Sequence, residues 1–350
     1  MKKLFFTGWL IALAASGWAQ GPNNSGEYYK AADGKKGAAL KTALCEIIYN
    51  RNEGGDLNTA YKALWTHFQK TDMRPNGTVW DMYSNKVEFE FGINQDTGSG
   101  NQEGQYYNRE HSMPNSWFGA KVMPMYTDLH HMYPTDKVVN NKRSNHPFGE
   151  TNGESYKSAN NFSKLGKCTV EGYSGTVFEP NDEYKGDFAR TYFYMVTCYE
   201  EKIPDWYTNF GVNNTNDETR NAVMATLDGN KYPGLKSWQL KMLMKWAKND
   251  PVSEKEINRN NAVYDIQKNR NPFIDYPGLE EYIWGEKKGV AFSYDKYVTS
   301  IQNILAKGLK DGKQSDTGIF GANGLLLRTY KRGVNIIKQR NGRSRKVVRR

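Results

Sequence analysis

Apolar residues recur at helical spacing in several separate windows of the chain. Leu40, Leu44, Ile47 and Ile48 predict one helix, and Leu57, Tyr61, Leu64, Trp65 and Phe68 predict a second. Phe188, Tyr192, Met195, Val196 and Tyr199 predict a third within Gly186–Glu201. Trp238–Lys248 reads as another, stopped at Asp250-Pro251. Ser253-Glu-Lys-Glu256 has the form of a capping box and opens a helix to about Gln267, ended by Asn269-Arg-Asn-Pro272. Thr135 or Asp136 can accept from the first amides of a helix reaching toward Asn145. Strand-like alternation is rarer, and Val87, Phe89 and Phe91 carry it. Residues 94–105 read as loop, and 150–175, rich in Gly, Ser and Asn, as a surface excursion. Helices with few short strands predict an α+β fold, mostly helical.

Composition refines this picture at the two ends. Residues 1–19 have a secretory leader's pattern: Lys2 and Lys3, an apolar run from Leu4 to Ala15, and small residues at Gly17 and Ala19. No later stretch is long and apolar enough to span a bilayer. Residues 20–287 form the predicted body, 288–314 a linker, and 315–350 a basic tail of short strands. The formal charge is +10, but residues 328–350 hold ten Lys/Arg and no acid. Removing those and the two leader lysines leaves about −2 for residues 20–327. Net charge therefore gives the body no nucleic-acid footprint, and any phosphate-binding surface there must be local. Cys45, Cys168 and Cys198 allow one disulfide in an exported protein, with Cys168–Cys198 the favoured pair. The absence of a Cys-x-x-Cys motif counts against a thiolate zinc site.

Candidate chemistry is concentrated in one window. Of five histidines, four fall between His111 and His146. Asn108-Arg-Glu-His-Ser-Met-Pro-Asn-Ser-Trp-Phe118 sets a carboxylate beside an imidazole. The carboxylate can hold a divalent cation and the imidazole can take a proton from water. Neighbouring side chains on a strand point to opposite faces, so Glu110 and His111 serve one site only where a strand bends or ends. Arg143 adds a fixed cation within reach of the same window. His67, His130, His131 and His146 read as structural or supporting residues, and Tyr192-Phe193-Tyr194 as core.

Four blocks in order carry a family resemblance. They are the run just given; Asp128-Leu-His-His-Met-Tyr-Pro-Thr-Asp136 with Arg143-Ser-Asn-His-Pro-Phe-Gly-Glu150; Phe178-Glu-Pro-Asn-Asp-Glu-Tyr-Lys-Gly-Asp187 on to Met195; and Asp250-Pro-Val-Ser253 with Arg259-Asn260 and Asn269–Pro277. Together they resemble the bacterial endonuclease I family of exported, non-specific nucleases. The resemblance implies a ββα-metal (His-Me finger-like) core with His111 as general base and Arg143 as phosphate donor. It implies Glu110 and Asp182 as ligands of Mg²⁺, with Mn²⁺ or Ca²⁺ as substitutes, and Asn181 as a rival to Asp182. DNA and RNA are the implied substrates, cut to 5′-phosphate ends outside the cell. Lys268 stands where relatives often have Gly, which predicts an altered turn. The tail strands around Ile319–Gly324, Gly333–Ile337 and Lys346–Arg349 resemble the end of type IX secretion sorting domains. Two other readings stay open: a zinc-dependent hydrolase such as a peptidase, and a surface binding protein on a nuclease scaffold.

Overall fold

The computed structural model describes residues 23, 25–49, 60–95, 100–295 and the strand segments 318–321, 326–327, 333–338 and 344–349. The leader and the first residues of the helix predicted from Leu57 lie outside the described residues. The chain divides into two units, Met1–Asp295 and Lys296–Arg350. The architecture is α+β. Among the described residues no helix is long and apolar enough to cross a membrane.

In the first unit, α1 (Gly37–Tyr49) and α2 (Leu64–Thr71, entered through a 3₁₀ turn at Tyr61–Ala63) precede the first strands. Strands β1 (Tyr107–His111) and β2 (Met132–Asp136) pair antiparallel, with Glu110 opposite Tyr133 and His111 opposite Met132. The chain turns directly from β2 into α3 (Lys137–Arg143), whose N-cap is Asp136, accepting from Val138 N at 2.8 Å and Val139 N at 3.0 Å. A ββα unit results. Strands β3 (Tyr156–Lys157), β4 (Lys164–Lys167) and β5 (Thr176–Glu179) form a small antiparallel sheet in chain order. The excursion predicted at 150–175 is thus partly ordered, because β4 is held from both sides.

Helix α4 (Lys185–Cys198) runs through the centre: every residue from Gly186 to Cys198 is buried, including Tyr192, Phe193 and Tyr194. A Cβ on Gly186 would lie 2.1 Å from the carbonyl of Asp250, so only glycine allows that approach. After a short α5 (Ile203–Trp206) and a π-helical turn at Tyr207–Val212 come α6 (Asp217–Thr226), α7 (Ser237–Asn249) and α8 (Glu254–Gln267). The capping box of α8 is present, and Glu256 also takes Arg190 Nε at 2.5 Å and Nη2 at 2.9 Å. Lys268 ends α8 in the left-handed region with φ 58°, the position where a glycine is at ease. α9 (Pro272–Asp275) and α10 (Leu279–Ile283) close the helical body.

Several expectations change. Val87, Phe89 and Phe91 form no strand; Val79 N donates to Phe89 O, and an isolated bridge joins Thr78 to Glu90. The body does not end at 287: Phe292 is buried and exchanges backbone hydrogen bonds with Gly34 and Lys35. No disulfide joins Cys45, Cys168 and Cys198. Cys45 Sγ instead faces Cys198 O at 3.4 Å, while Cys168 sits against Val170. The second unit is a four-stranded antiparallel sheet of β6 (Gly318–Gly321), β7 (Leu326–Leu327), β8 (Gly333–Lys338) and β9 (Ser344–Arg349), in the order β7-β6-β8-β9.

Candidate active site

Strand β1 divides the chemistry between its two faces, as the alternation of a strand requires. Asn108 and Glu110 share the face covered by α3. Asn140 Nδ2 donates to Asn108 Oδ1 at 2.8 Å, and Arg143, one turn on, donates from Nη1 to Glu110 Oε1 at 2.7 Å. The three-residue step from Asn140 to Arg143 keeps both on one helix face. Tyr83 Oη donates to the same Glu110 oxygen at 2.7 Å. Tyr83 is set there by Asp81, whose carboxylate accepts from Tyr83 N at 2.7 Å and from Asp136 N at 3.0 Å. One buried acid thereby ties the turn at 81–84 to the start of α3. Burial pushes the Asp81 carboxyl up to about 8, against the pull of its backbone donors.

Glu110 is 4% exposed, and burial raises its carboxyl while Arg143 and Tyr83 oppose the rise. Arg143 and Tyr83 share one of its oxygens, and the His111 backbone also donates to the carboxylate. The oxygens of Asn108 and Asn140 lie on the same face of the unit, and the Asn140 contact uses its amide nitrogen. Carboxylate and amide oxygens are the donor type that Mg²⁺, Mn²⁺ or Ca²⁺ prefers, and soft donors select zinc instead.

His111, 7% exposed, lies on the other face and is the last residue of β1. Its Nε2 is 3.0 Å from Tyr126 O. A carbonyl can only accept, so Nε2 carries the hydrogen and Nδ1 carries the lone pair. Burial first, then the His131 ring beside it, pushes the imidazole down to about 3, against the Tyr126 carbonyl. Burial therefore favours the neutral ring.

Two residues predicted for the site are placed differently from expectation. Arg143 is 1% exposed and its Nη atoms are taken by Glu110, His111 O at 2.8 Å, Ser112 O and Tyr192 Oη at 3.3 Å. It pins β1 from beneath and presents no open fork to a phosphate. Asp182 is a surface residue: its carboxylate is 91% exposed, pairs with Lys185 at 2.6 Å, and shares no partner with Glu110. Asn181 caps the same turn by accepting from Glu183 N at 3.1 Å. Asn108 and Asn140 are candidates the residue-by-residue reading did not single out; the Asn140–Arg143 spacing on a capped helix was the available signal. His130 and His131 diverge, one to Asn269 O at 3.2 Å and the other to Met125 O at 2.6 Å. Among the described residues no three His, Cys, Asp or Glu side chains gather as a metal cluster.

Glu110 and His111, on the two faces of the end of β1 in a ββα unit, are the candidate site. Comparison with known proteins specifies its class. The family model for endonuclease I matches residues 36–278. Proteins named extracellular ribonuclease from Bacillus amyloliquefaciens and Bacillus subtilis (strain 168) are 36% and 34% identical over 263 and 284 residues. These alignments cover 73% and 79% of this chain, and 78% and 84% of the relatives. A protein named extracellular deoxyribonuclease from Aeromonas hydrophila is 26% identical over 150 residues, 42% of this chain and 49% of its own. The chain belongs to the endonuclease I family. It is a nuclease, a hydrolase acting on phosphodiester bonds.

Proposed function

We propose that this protein is an extracellular, metal-dependent endonuclease that cuts DNA and RNA with little sequence discrimination and leaves 5′-phosphate ends. The observation that carries the reading is His111, neutral, tied back through Nε2, and adjacent in sequence to the buried Glu110. The names of the relatives support both substrates and an extracellular location. Glu110, with the amide oxygens of Asn140 and Asn108, would hold the divalent cation, which when bound supplies charge stabilisation at the phosphate. His111 Nδ1 accepts a proton from water, and the water oxygen attacks phosphorus. The bond from phosphorus to the 3′ oxygen breaks, and that oxygen leaves as a hydroxyl after taking a proton from solvent. Such base catalysis contributes roughly 10²–10⁴-fold. Arg143 holds Glu110 in place and fixes the carbonyls of His111 and Ser112, so the strand end keeps its shape. Contacts confined to phosphate and sugar carry no sequence information. The C-terminal four-stranded sheet is proposed as a sorting signal.

Supercoiled plasmid and an RNA oligonucleotide, incubated with the protein in Mg²⁺ and in EDTA beside His111→Ala, test the reading. Cleavage of both in Mg²⁺, lost in EDTA and in His111→Ala, is expected. Inert wild type in Mg²⁺, Mn²⁺ and Ca²⁺ overturns it. Activity that follows tightly held Zn²⁺ instead moves the reading to a zinc hydrolase.

A further inference from the structure

A layer of stacked side chains covers the base-bearing face of β1. Arg109 and His111 are two residues apart and so share that face. The Arg109 guanidinium lies 3.9 Å over the Tyr61 ring and 4.8 Å from the Trp65 ring, and its Nη1 donates to Tyr61 O at 2.9 Å. Tyr61 stacks on Tyr126, with centroids 4.5 Å apart and planes 16° apart. Tyr126 stacks on His111 at 5.2 Å and 18°, and Tyr61 lies within 4° of the imidazole plane at 6.1 Å. Arg109 and His111, on one strand, thus both border the tyrosine pair, and Tyr126 stacks on both Tyr61 and the imidazole.

We propose that Tyr61 and Tyr126, buttressed by Arg109, are positioning residues that fix the plane of the His111 imidazole and so aim Nδ1 at the attacking water. The inference rests on the reading of His111 as the base. A hydrogen bond through Nε2 fixes one point of the ring but leaves rotation about that bond open; parallel faces remove the rotation. Tyr126 acts twice, since its carbonyl selects the tautomer and its ring sets the plane. Tyr61 comes from the turn that leads into α2, outside the ββα unit, so the base is oriented by a segment the unit does not contain. The stacking contacts are made by the ring faces, which phenylalanine keeps. Phenylalanine should serve in either position, and leucine should not.

The test uses the full chain with Tyr61→Leu, Tyr126→Leu and the matching Phe variants. Leucine at either position is expected to lower kcat by about 10²-fold with KM little changed, as a small misplacement of a reacting group does. The Phe variants are expected to stay within about threefold of wild type, on the same scale of misplacement. Nitrogen-15 spectra of labelled histidine, taken without substrate, report the His111 tautomer. Tyr126→Leu, which keeps the backbone carbonyl, should keep the Nε2–H form but broaden the His111 ring signals as the plane is released. Wild type that cleaves, with Tyr126→Leu matching its kcat and its histidine spectrum, overturns the proposal. Wild type that is inert, while Tyr126→Leu still broadens the His111 ring signals, supports the positioning and removes the nuclease reading instead.

Discussion

Replacing Arg143 by methionine removes a charge from a place where little else can compensate for its loss. The guanidinium is 1% exposed and bonds Glu110, two backbone carbonyls and Tyr192. Methionine keeps much of the volume but leaves the buried Glu110 carboxylate without its cation, held by Tyr83 and the His111 backbone. Removing one partner of a buried pair costs roughly 3–5 kcal/mol, because the other charge stays buried. At about 2–4 °C per kcal/mol, the melting temperature should fall by roughly 6–20 °C. Thermal unfolding by circular dichroism at pH 7 reads this directly. Glu110→Gln in the same chain removes the stranded charge and should return about 1–3 kcal/mol, a coupling typical of contacting residues. Arg143→Lys keeps the charge without the fork and should fall between. If Arg143→Met melts within about 2 °C of wild type yet loses cleavage, the placement beneath β1 is wrong and the arginine acts on the phosphate.

Three further outcomes are expected. Asp182→Ala should leave cleavage in Mg²⁺ within about twofold, because an exposed carboxylate paired with a lysine contributes little; a loss of about 10²-fold or more would make it a ligand after all. Asn140→Ala should raise the Mg²⁺ concentration needed for half-maximal rate by about 10–100-fold, as loss of a group in or beside a metal shell does; an unchanged Mg²⁺ titration would remove Asn140 from the shell. Asp81, raised by burial from 3.8 to about 8, contributes stability that is complete below pH 3.8 and lost as pH rises through 8. The neutral side chain of Asp81→Asn does not titrate, so the wild-type advantage in urea unfolding should shrink between about pH 5 and pH 9. An advantage that stays constant or grows would refute the shift.

Local signals were legible where local physics decides. The Ser253–Glu256 box, the Asp136 cap and the aromatic spacing of α4 each act within one or two turns, and each is present. The β1–β2 hairpin was not legible. Tyr107 to His111 is mostly polar and Pro134 interrupts β2, so neither strand has a periodic pattern of its own. Tyr107 holds β1 by packing against Phe89 and Trp65, contacts from distant segments. The alternation at Val87–Phe91 misled because Val87 points to solvent while Phe89 is buried, with no neighbouring strand to extend the pair. Glu110 and His111 were singled out as candidates by their chemistry, and both lie at the buried end of β1. Arg143 had the right neighbourhood and the wrong direction, since residue type does not say that α3 turns that face inward. Asp182 was placed by position in a motif, and exposure is a tertiary property that no motif carries.

The adjacency of Glu110 and His111 gains its meaning from the register of β1. Had the strand continued, its alternation would keep the carboxylate and the imidazole on opposite sides of the sheet, out of reach of one phosphate. His111 is instead the final residue of β1, and Ser112-Met113-Pro114 leads the chain away. Both side chains therefore border the same strand end while each keeps its own supporting shell: Arg143 and Tyr83 for the acid, Tyr126 and Tyr61 for the base. Separate shells let the environment treat the two groups differently. Burial pushes the imidazole toward its neutral form, and raises the carboxyl while Arg143 opposes that rise. A one-residue slip of β1 against β2 would exchange the faces, putting the imidazole on Arg143 and the carboxylate among the tyrosines. The pairing of Glu110 with Tyr133 and His111 with Met132 is therefore as much a determinant of the chemistry as the two residues themselves.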